Sequence, residues 1–433
     1  MRSVRIALVG MLALALGGCA TRGSLNIDCQ HFAKYIVKMP RSQLVQDIQE
    51  DAGESSAQFV LAERDARAAY SLEASLAAGA QRASGVQPQL KTGAGGPRTD
   101  VLLLSGGGQW GAFGVGFLDR LRTAHPADFP RAKTITGVST GGLQALFLAV
   151  GTDAAFEALK ISYAPKSESE VVNRNLKPRA VITGSIAGLK PLKRKVLAAL
   201  CNDGDAAKGC PLIDALASDA SADAFIGFVD AKSGDFYHVS VKLLAHLPKP
   251  EAQQCIAGAA LASAAMPVFF QQVKVGGQVY YDGGVRQSVF EAAVARKAFA
   301  AARAAGVADK SGAPTLYVIR NGPTVLNEDK APARRADALT NALRAQAIVV
   351  NQLEVQSIAD LRLSNPTGPI VLITADGYTG FGCPKRPDKA MFSPLFMRCL
   401  TRFGAARADR NPPWRPLSKL DVGSDPVSLR LTR

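Results

Sequence analysis

Positions 133–150 read Lys-Thr-Ile-Thr-Gly-Val-Ser-Thr-Gly-Gly-Leu-Gln-Ala-Leu-Phe-Leu-Ala-Val. This pattern predicts a short strand, a tight turn that holds Ser139 between two glycines, and a buried helix. Gly137 and Gly141 lack the Cβ atoms that would clash where the strand reverses into the helix, so a strained backbone can present the serine. The hydroxyl would lie at a helix N-terminus, whose free N–H groups favour a developing oxyanion.

A second glycine motif comes before this one. Val101-Leu-Leu-Leu104 reads as a buried strand, and Ser-Gly-Gly-Gly-Gln-Trp-Gly follows at 105–111 before a helical pattern. A glycine loop between a strand and a helix is a cradle of backbone amides for negative charge. Gly106-x-Gly108-x-x-Gly111 also satisfies the dinucleotide fingerprint, which would make the protein an NAD or FAD enzyme. Against this interpretation, the acidic residue expected farther along is poorly placed, because Asp128 lies in a Pro-flanked loop.

The spacing of the two motifs favours an oxyanion hole. They lie about thirty residues apart, which is the size of one βαβ unit. On adjacent parallel strands, both turns would emerge at the carboxyl edge of the sheet, where α/β proteins build their sites. The glycine loop would then lie beside Ser139 and stabilise the charge of a tetrahedral intermediate.

A serine nucleophile needs a base, and an aspartate is better placed for this role than any histidine. None of the four histidines lies in a small, glycine-flanked loop that suits a triad base: His31, His125, His238 and His246. Asp282 does lie in such a loop, since Gln278-Val-Tyr-Tyr281 reads as a strand and Asp-Gly-Gly follows it. Taken alone, Asp-Gly-Gly would be interpreted as a hairpin turn.

The N-terminus predicts export. Arg2 and Arg5 are followed by an apolar run of eleven residues, too short to span a bilayer, and then by Leu16-Gly-Gly-Cys19. This stretch resembles the bacterial lipobox, so residues 1–18 are interpreted as a lipoprotein signal peptide and Cys19 as the lipidated residue. The alternative is an ordinary secretory signal with a chance cysteine. Ala20 suggests anchoring in the outer membrane of the bacterial envelope, by analogy with other lipoproteins.

The remaining cysteines fit an oxidising compartment, because six are left once Cys19 is set aside. Six cysteines allow fifteen pairings, so only local pairings are suggested. The pairs expected from proximity are Cys201 with Cys210 and Cys383 with Cys399, which leaves Cys29 with Cys255. Zinc is the rival interpretation, but the chain has no paired Cys-x-x-Cys and few histidines. We therefore expect no metal and no cofactor.

The net charge of +15 points to membrane lipids as partners rather than to nucleic acid. On an exported, lipid-anchored protein, a basic surface is attracted to anionic headgroups. An ordinary solvated basic surface explains the charge equally well. The oligomeric state is not indicated by any sequence feature.

Two segments outside the motifs have a helical pattern. The first runs from about Arg41 to Ala83, after a polar tether, and 91–98 then forms a flexible glycine-rich connector. The second runs from Arg335 to Leu363 and is interpreted as a packing helix, with a lid over the site as the alternative. Residues 369–374 read as another buried strand.

The glycine loop, Gly-x-Ser-x-Gly-Gly and Asp-Gly-Gly, in that order, resemble the patatin-like phospholipase family. The likeness extends to Phe228-Val-Asp-Ala-Lys-Ser-Gly-Asp-Phe236, to Ala262-Ser-Ala-Ala-Met-Pro-Val-Phe-Phe270 and to a C-terminal helix near Ser393. It covers about residues 99–405.

This resemblance implies a three-layer α/β/α fold with a mostly parallel central sheet. It divides the chain into a tether and helical extension over 19–98, a catalytic domain over 99–375 and a packed C-terminal segment over 376–433, which Cys383–Cys399 would pin.

The resemblance also implies a Ser-Asp dyad. Ser139 would be the nucleophile and Asp282 the base, while the amides of Gly106, Gly107 and Gly108 would hold the oxyanion. Each such donor typically contributes about 3 kcal/mol of transition-state stabilisation. A lone carboxylate is a weak base, so Asp282 should be desolvated and hydrogen-bonded to Ser139.

Three positions depart from the family pattern. Trp110 stands where the glycine loop commonly carries Arg or Lys, which removes a cation near the oxyanion loop and weakens the claim of a phospholipase over a general esterase. Gln271 and Phe290 stand where prolines often occur, and they bear on loop shape more than on chemistry.

Three functions therefore compete. A lipid-anchored serine acyl hydrolase acting on lipid or other carboxylic esters explains all three motifs. A dinucleotide enzyme explains only the glycine loop. A non-catalytic envelope lipoprotein that keeps the fold as a binding scaffold is compatible with the same residues.

Overall fold

A computed structural model describes residues 23–39, 100–175, 185–290, 315–326, 338–365, 368–384 and 390–417. Several expectations fall outside these ranges: the signal peptide 1–18, the lipidation site Cys19, the helical extension from Arg41 to Ala83 and the connector 91–98.

The described strands are β1 Ser24–Ile27, β2 Ile36–Lys38, β3 Asp100–Leu104, β4 Ala132–Val138, β5 Asn173–Arg174, β6 Ser185–Gly188, β7 Asp223–Asp230, β8 Phe236–Ser240, β9 Val268–Phe270, β10 Gln272–Val275, β11 Gln278–Asp282, β12 Leu316–Arg320, β13 Ile370–Thr374 and β14 Arg415–Pro416. The described helices are α1 Gly111–Ala124, α2 Thr140–Val150, α3 Asp153–Ser162, α4 Lys190–Leu200, α5 Pro211–Ala217, α6 Val241–Ala245, α7 Lys249–Ser263, α8 Ala338–Ser364 and α9 Pro394–Ala408.

A large mixed sheet forms the centre of the molecule. Its middle strands β13, β12, β3, β4 and β7 are parallel neighbours. Antiparallel pairs extend this parallel core, with β14 beside β13, β8 and β11 beside β7, and β10 beside β11. A separate small sheet contains β5, β6 and β9.

Alternation along the central strands separates two hydrophobic cores. In β3, Val101 and Leu103 face the core that contains Ile358 of α8. Leu102 and Leu104 face the larger core that contains residues of α1, α2 and α9. Successive side chains of a strand point to opposite faces, so helices cover both sides of the sheet. The expected three-layer α/β/α fold is therefore the one observed.

The segment after the expected lipidation site is part of this fold. β1 pairs in parallel with β10, and β2 pairs with β8. Leu25 and Ile27 are buried while their neighbours along β1 are more exposed. The expectation of a polar tether is therefore wrong from Ser24 to Lys38, because this segment contains two edge strands of the sheet.

The three disulfides follow the expected pairing. Cys29–Cys255 joins the N-terminal segment to α7, Cys201–Cys210 closes the loop after α4, and Cys383–Cys399 holds a loop against α9. In the C-terminal segment α9 packs closely on α1, since a Cβ at Gly116 would lie 2.0 Å from the carbonyl oxygen of Thr401.

Helix α8 combines a packed half with an exposed half. Its second half packs on the sheet through Ile358 and Leu361, as a packing helix would. Ile348 and Val349 in the first half are 47% and 55% exposed. Within the described ranges, none of the helices combines the length and apolarity that a membrane span requires.

Candidate active site

Ser139 occupies a sharp turn between β4 and α2, as the sequence pattern predicts. Its φ of 55° is in the left-handed region, which non-glycine residues rarely adopt. A Cβ at Gly137 would lie 2.2 Å from the carbonyl oxygen of Gly141, and a Cβ at Gly141 would lie 2.4 Å from that of Leu104. Both glycines are therefore required for α2 to approach β4 and β3 this closely.

The strained turn is supported by Ser263, a residue whose role the sequence did not reveal. The Ser139 amide donates to Ser263 Oγ at 2.7 Å, and that hydroxyl donates to the Gly227 carbonyl at 2.6 Å. The hydroxyl thus satisfies both a donor and an acceptor that the turn would leave unpaired. This explains why serine occupies the last position of α7.

Strand register brings Asp282 to Ser139. β8 pairs along one edge of β7, so β4 and β11 share the other edge and run toward each other. β4 ends with Val138 opposite Gly227, and β11 ends with Asp282 opposite Phe228. The residue after β4 and the last residue of β11 therefore meet. Asp-Gly-Gly is not a hairpin turn, because β11 leads into a short 3₁₀ turn in which Asp282 Oδ1 accepts the Gly284 amide.

The environment of Asp282 favours a protonated carboxyl. The residue is 1% exposed, and burial raises its pKa to about 7. The Ser139 hydroxyl and the Gly284 amide lower this pKa, whereas the charge of Glu354 raises it. The Ser139 hydroxyl is thus close enough to the carboxyl to lower its pKa.

The glycine loop offers two amides to a ligand rather than the three expected. The Gly106 amide donates to Ser288 Oγ at 3.2 Å, so its proposed place among the oxyanion donors is corrected. In the described part of the chain, the amides of Gly107 and Gly108 have no acceptor. Gly108 and Ser139 line the same cleft.

Neighbouring hydrogen bonds fix the orientation of these two amides. Ser105 Oγ donates to the Gly106 carbonyl at 2.8 Å, which belongs to the same peptide group as the next amide. The Trp110 amide donates to the Gly107 carbonyl at 3.1 Å and orients the following peptide in the same way. The Asn321 amide in turn donates to Ser105 Oγ at 2.9 Å. The loop is therefore held before any substrate arrives.

The cleft beside Ser139 is apolar and encloses about 860 Å³, including its opening to solvent. Its walls include Leu143, Leu146, Phe147, Leu192, Val196 and Phe270. Lys195 is the charged residue of its lining, and its ammonium pairs with Glu170 at 3.0 Å. Trp110, in place of a cation, packs edge-on against the rings of Tyr378 and Phe396. These properties suit an apolar ligand better than an anionic one.

The histidines lie away from the cleft lining. His31 is near Glu251, His125 contacts Asp409, and His246 ends the short helix α6. His238 is buried between aromatic rings, where desolvation lowers its pKa to about 4. Among the described residues there is no cluster of His, Cys, Asp or Glu suited to a metal ion.

The dinucleotide interpretation finds no support in the placement of its acidic residue. Asp128 lies in a short 3₁₀ turn between α1 and β4, rather than at the end of a second strand. The fingerprint requires a strand end at that point.

Comparison with known proteins gives one family. Residues 102–294 match the model of the family described as patatin-like phospholipase. A search of curated proteins found no significant match. Among solved structures, VipD from Legionella pneumophila aligns at 12% identity with a TM-score of 0.34, over 74% of this chain and 68% of that one.

Proposed function

We propose, from the premise that residues 102–294 form a patatin-like phospholipase domain, that this protein is a serine hydrolase of carboxylic esters in lipids. The observation that carries the proposal is the meeting of Ser139, strained at its turn and lining an apolar cleft, with the buried Asp282.

The reaction would proceed in two matching halves. Ser139 Oγ attacks the ester carbonyl carbon while its proton passes to Asp282, and the carbonyl oxygen becomes an oxyanion. The amides of Gly107 and Gly108 donate to that oxyanion, helped by the N-terminus of α2. The tetrahedral intermediate then expels the alcohol, which takes the proton from Asp282. Water repeats the sequence on the acyl-enzyme and releases the carboxylic acid.

The substrate class follows from the cleft. An acyl chain buries apolar surface in such a site, at about 0.8 kcal/mol for each methylene removed from water. The phospholipase A, lysophospholipase and carboxylesterase reactions all place an acyl chain there. Trp110 packs on aromatic rings and provides no charge beside the glycine loop. We therefore expect the length of the acyl chain to affect the rate more than the identity of the headgroup does.

Active-site labelling tests the proposal. Wild type should react with a fluorophosphonate probe, Ser139→Ala should not, and Asp282→Asn should react far more slowly. Ser162→Ala, which alters another serine of the cleft lining, should label like wild type. Asp235→Asn, which alters a buried aspartate paired with Lys38, controls for general damage. A folded wild-type protein that fails to label would favour the scaffold function instead.

We further propose that Cys19 carries the lipid anchor and attaches the protein to the outer membrane. Only five residue steps separate Cys19 from Ser24, the first residue of β1, so the anchor would reach at most about 18 Å from the sheet edge. Lys193 of α4 donates to the carbonyl of Asn26 in β1. The basic helix that lines the cleft would thus lie near the membrane. Palmitate labelling and envelope fractionation of wild type and Cys19→Ala test this, and unchanged labelling of the variant would contradict it.

A further inference from the structure

A buried hydrogen-bond network lies behind the glycine loop. The Gly106 amide donates to Ser288 Oγ, and that hydroxyl donates to Glu354 Oε1 at 3.2 Å. Glu354 Oε2 accepts from Arg320 Nη2 at 2.9 Å. This network connects β12, α8, the segment after Asp282 and the start of the glycine loop. Four segments distant in sequence are therefore tied together at one point.

The ion pair of this network, Arg320 with Glu354, is almost completely excluded from water. Arg320 is 1% exposed and Glu354 is 8% exposed. Arg320 Nη2 also donates to the Asn351 side chain, whereas its Nε and Nη1 atoms have no partner among the described residues. An arginine keeps its charge when buried, and a buried unpaired charge costs several kcal/mol. Burial raises the pKa of Glu354, and the guanidinium of Arg320 opposes that rise. The two side chains form an ion pair, with Arg320 Nη2 and Glu354 Oε2 2.9 Å apart.

The network also lies close to the side chains of Ser139 and Asp282. A Cβ placed on Gly106 would lie 3.4 Å from Ser139 Cβ and 3.8 Å from Glu354 Oε1. Glu354 is therefore separated from the nucleophile by little more than one glycine. Its charge also raises the pKa of Asp282.

We propose that Glu354 is a positioning residue of the active site: anchored by Arg320, it fixes the start of the glycine loop through Ser288 and places a negative charge near Asp282. This inference rests on the proposed hydrolase function. The hydrogen bonds set the geometry of the oxyanion donors. The charge disfavours the ionised form of Asp282, which makes its carboxylate a stronger base toward Ser139.

The two contributions are separable by mutation. Ser288→Ala breaks the hydrogen-bond route and leaves the charges unchanged. Glu354→Gln removes the negative charge while keeping a side chain of the same shape. Asp360→Asn is a matched control, because it removes a carboxylate from the same helix at an exposed position.

The measurement is the pH dependence of kcat/KM for a p-nitrophenyl ester, with Ser139→Ala as the background. In the pH profile of kcat/KM, the acidic limb is the range in which activity rises with pH, and the plateau is the constant value above it. We expect Glu354→Gln to shift the acidic limb by about one pH unit toward lower pH and to lower the plateau value of kcat/KM. Ser288→Ala should lower the plateau about tenfold with an unmoved limb, as expected when a supporting contact of an oxyanion donor is lost. Asp360→Asn should match wild type.

An unmoved limb in Glu354→Gln would overturn the role of the charge, and an unchanged plateau in Ser288→Ala would overturn the role of the hydrogen bonds. If Glu354→Gln does not fold, Glu354→Asp keeps the charge and withdraws the carboxylate by one methylene. It should then keep the limb and lose plateau rate, and any other result counts against the proposal. Ester hydrolysis that survives in Ser139→Ala would instead contradict the proposed function itself.

Discussion

Replacing Asp282, the proposed base, is expected to stabilise the protein while it slows the proposed reaction. The pKa of Asp282 rises from 3.8 in the unfolded chain to about 7 in the folded protein, mainly through burial. Between these two values the folded state binds more protons, so stability falls as the pH rises. At pH 8 the ionised carboxylate costs about 4 kcal/mol, since each pKa unit corresponds to about 1.36 kcal/mol.

Asp282→Asn removes this cost and keeps an oxygen that can accept the Gly284 amide. Urea unfolding of wild type and variant, with disulfides intact, measures the effect. The variant should gain little at pH 4 and up to about 4 kcal/mol at pH 8. Asp235→Asn breaks the pair with Lys38 and should lose stability instead. An Asp282→Asn protein that is less stable than wild type at pH 8, or whose gain does not change with pH, would refute the reasoning.

Three other outcomes follow from the same geometry. The kcat/KM of wild type should rise with pH through an apparent pKa of about 7, because only ionised Asp282 accepts the proton. At pH 5 the kcat/KM should be about a hundredfold below its plateau value at high pH. A kcat/KM that does not change with pH would exclude Asp282 as the base. Burial lowers the pKa of His238 to about 4, so this side chain stays neutral in the folded protein above that pH. The free energy of unfolding should therefore fall by up to about 3 kcal/mol as the pH drops from 6.5 toward 4. Urea unfolding of His238→Phe should not show this loss. Gly137→Ala should abolish probe labelling because its Cβ would meet the Gly141 carbonyl oxygen at 2.2 Å, whereas Gly322→Ala, with open space around its Cβ, should label normally.

The turn that holds Ser139, the proposed nucleophile, was predictable because its determinants are local. Gly137, Ser139 and Gly141 lie within five positions, and the apolar residues on both sides indicate a strand and a helix. Asp282 was predictable for a similar reason, since a strand pattern ends directly at Asp-Gly-Gly. The family resemblance supplied the pairing of the two residues, which the sequence pattern alone does not give.

The supporting residues were not predictable because their partners are far away in sequence. Ser263 lies 124 positions from Ser139, and Ser288 lies 182 positions from Gly106. No periodic pattern links such pairs. The same reasoning explains the Gly106 correction, because a glycine motif shows that amides are accessible but not which one a distant hydroxyl occupies. Strand β1 was missed for another reason, since four alternating residues are too short a signal.

The head-on meeting of β4 and β11 along one edge of β7 has a consequence for how the proposed site can be altered. The strand register, with Val138 opposite Gly227 and Asp282 opposite Phe228, sets the gap between the two strand ends. An insertion between these two residues would change that gap by about 3.3 Å, the rise of one strand residue. Substitutions in the cleft walls leave the ladder untouched. Point mutations in the cleft walls can therefore vary the substrate range while the strand register that brings Ser139 and Asp282 together stays the same.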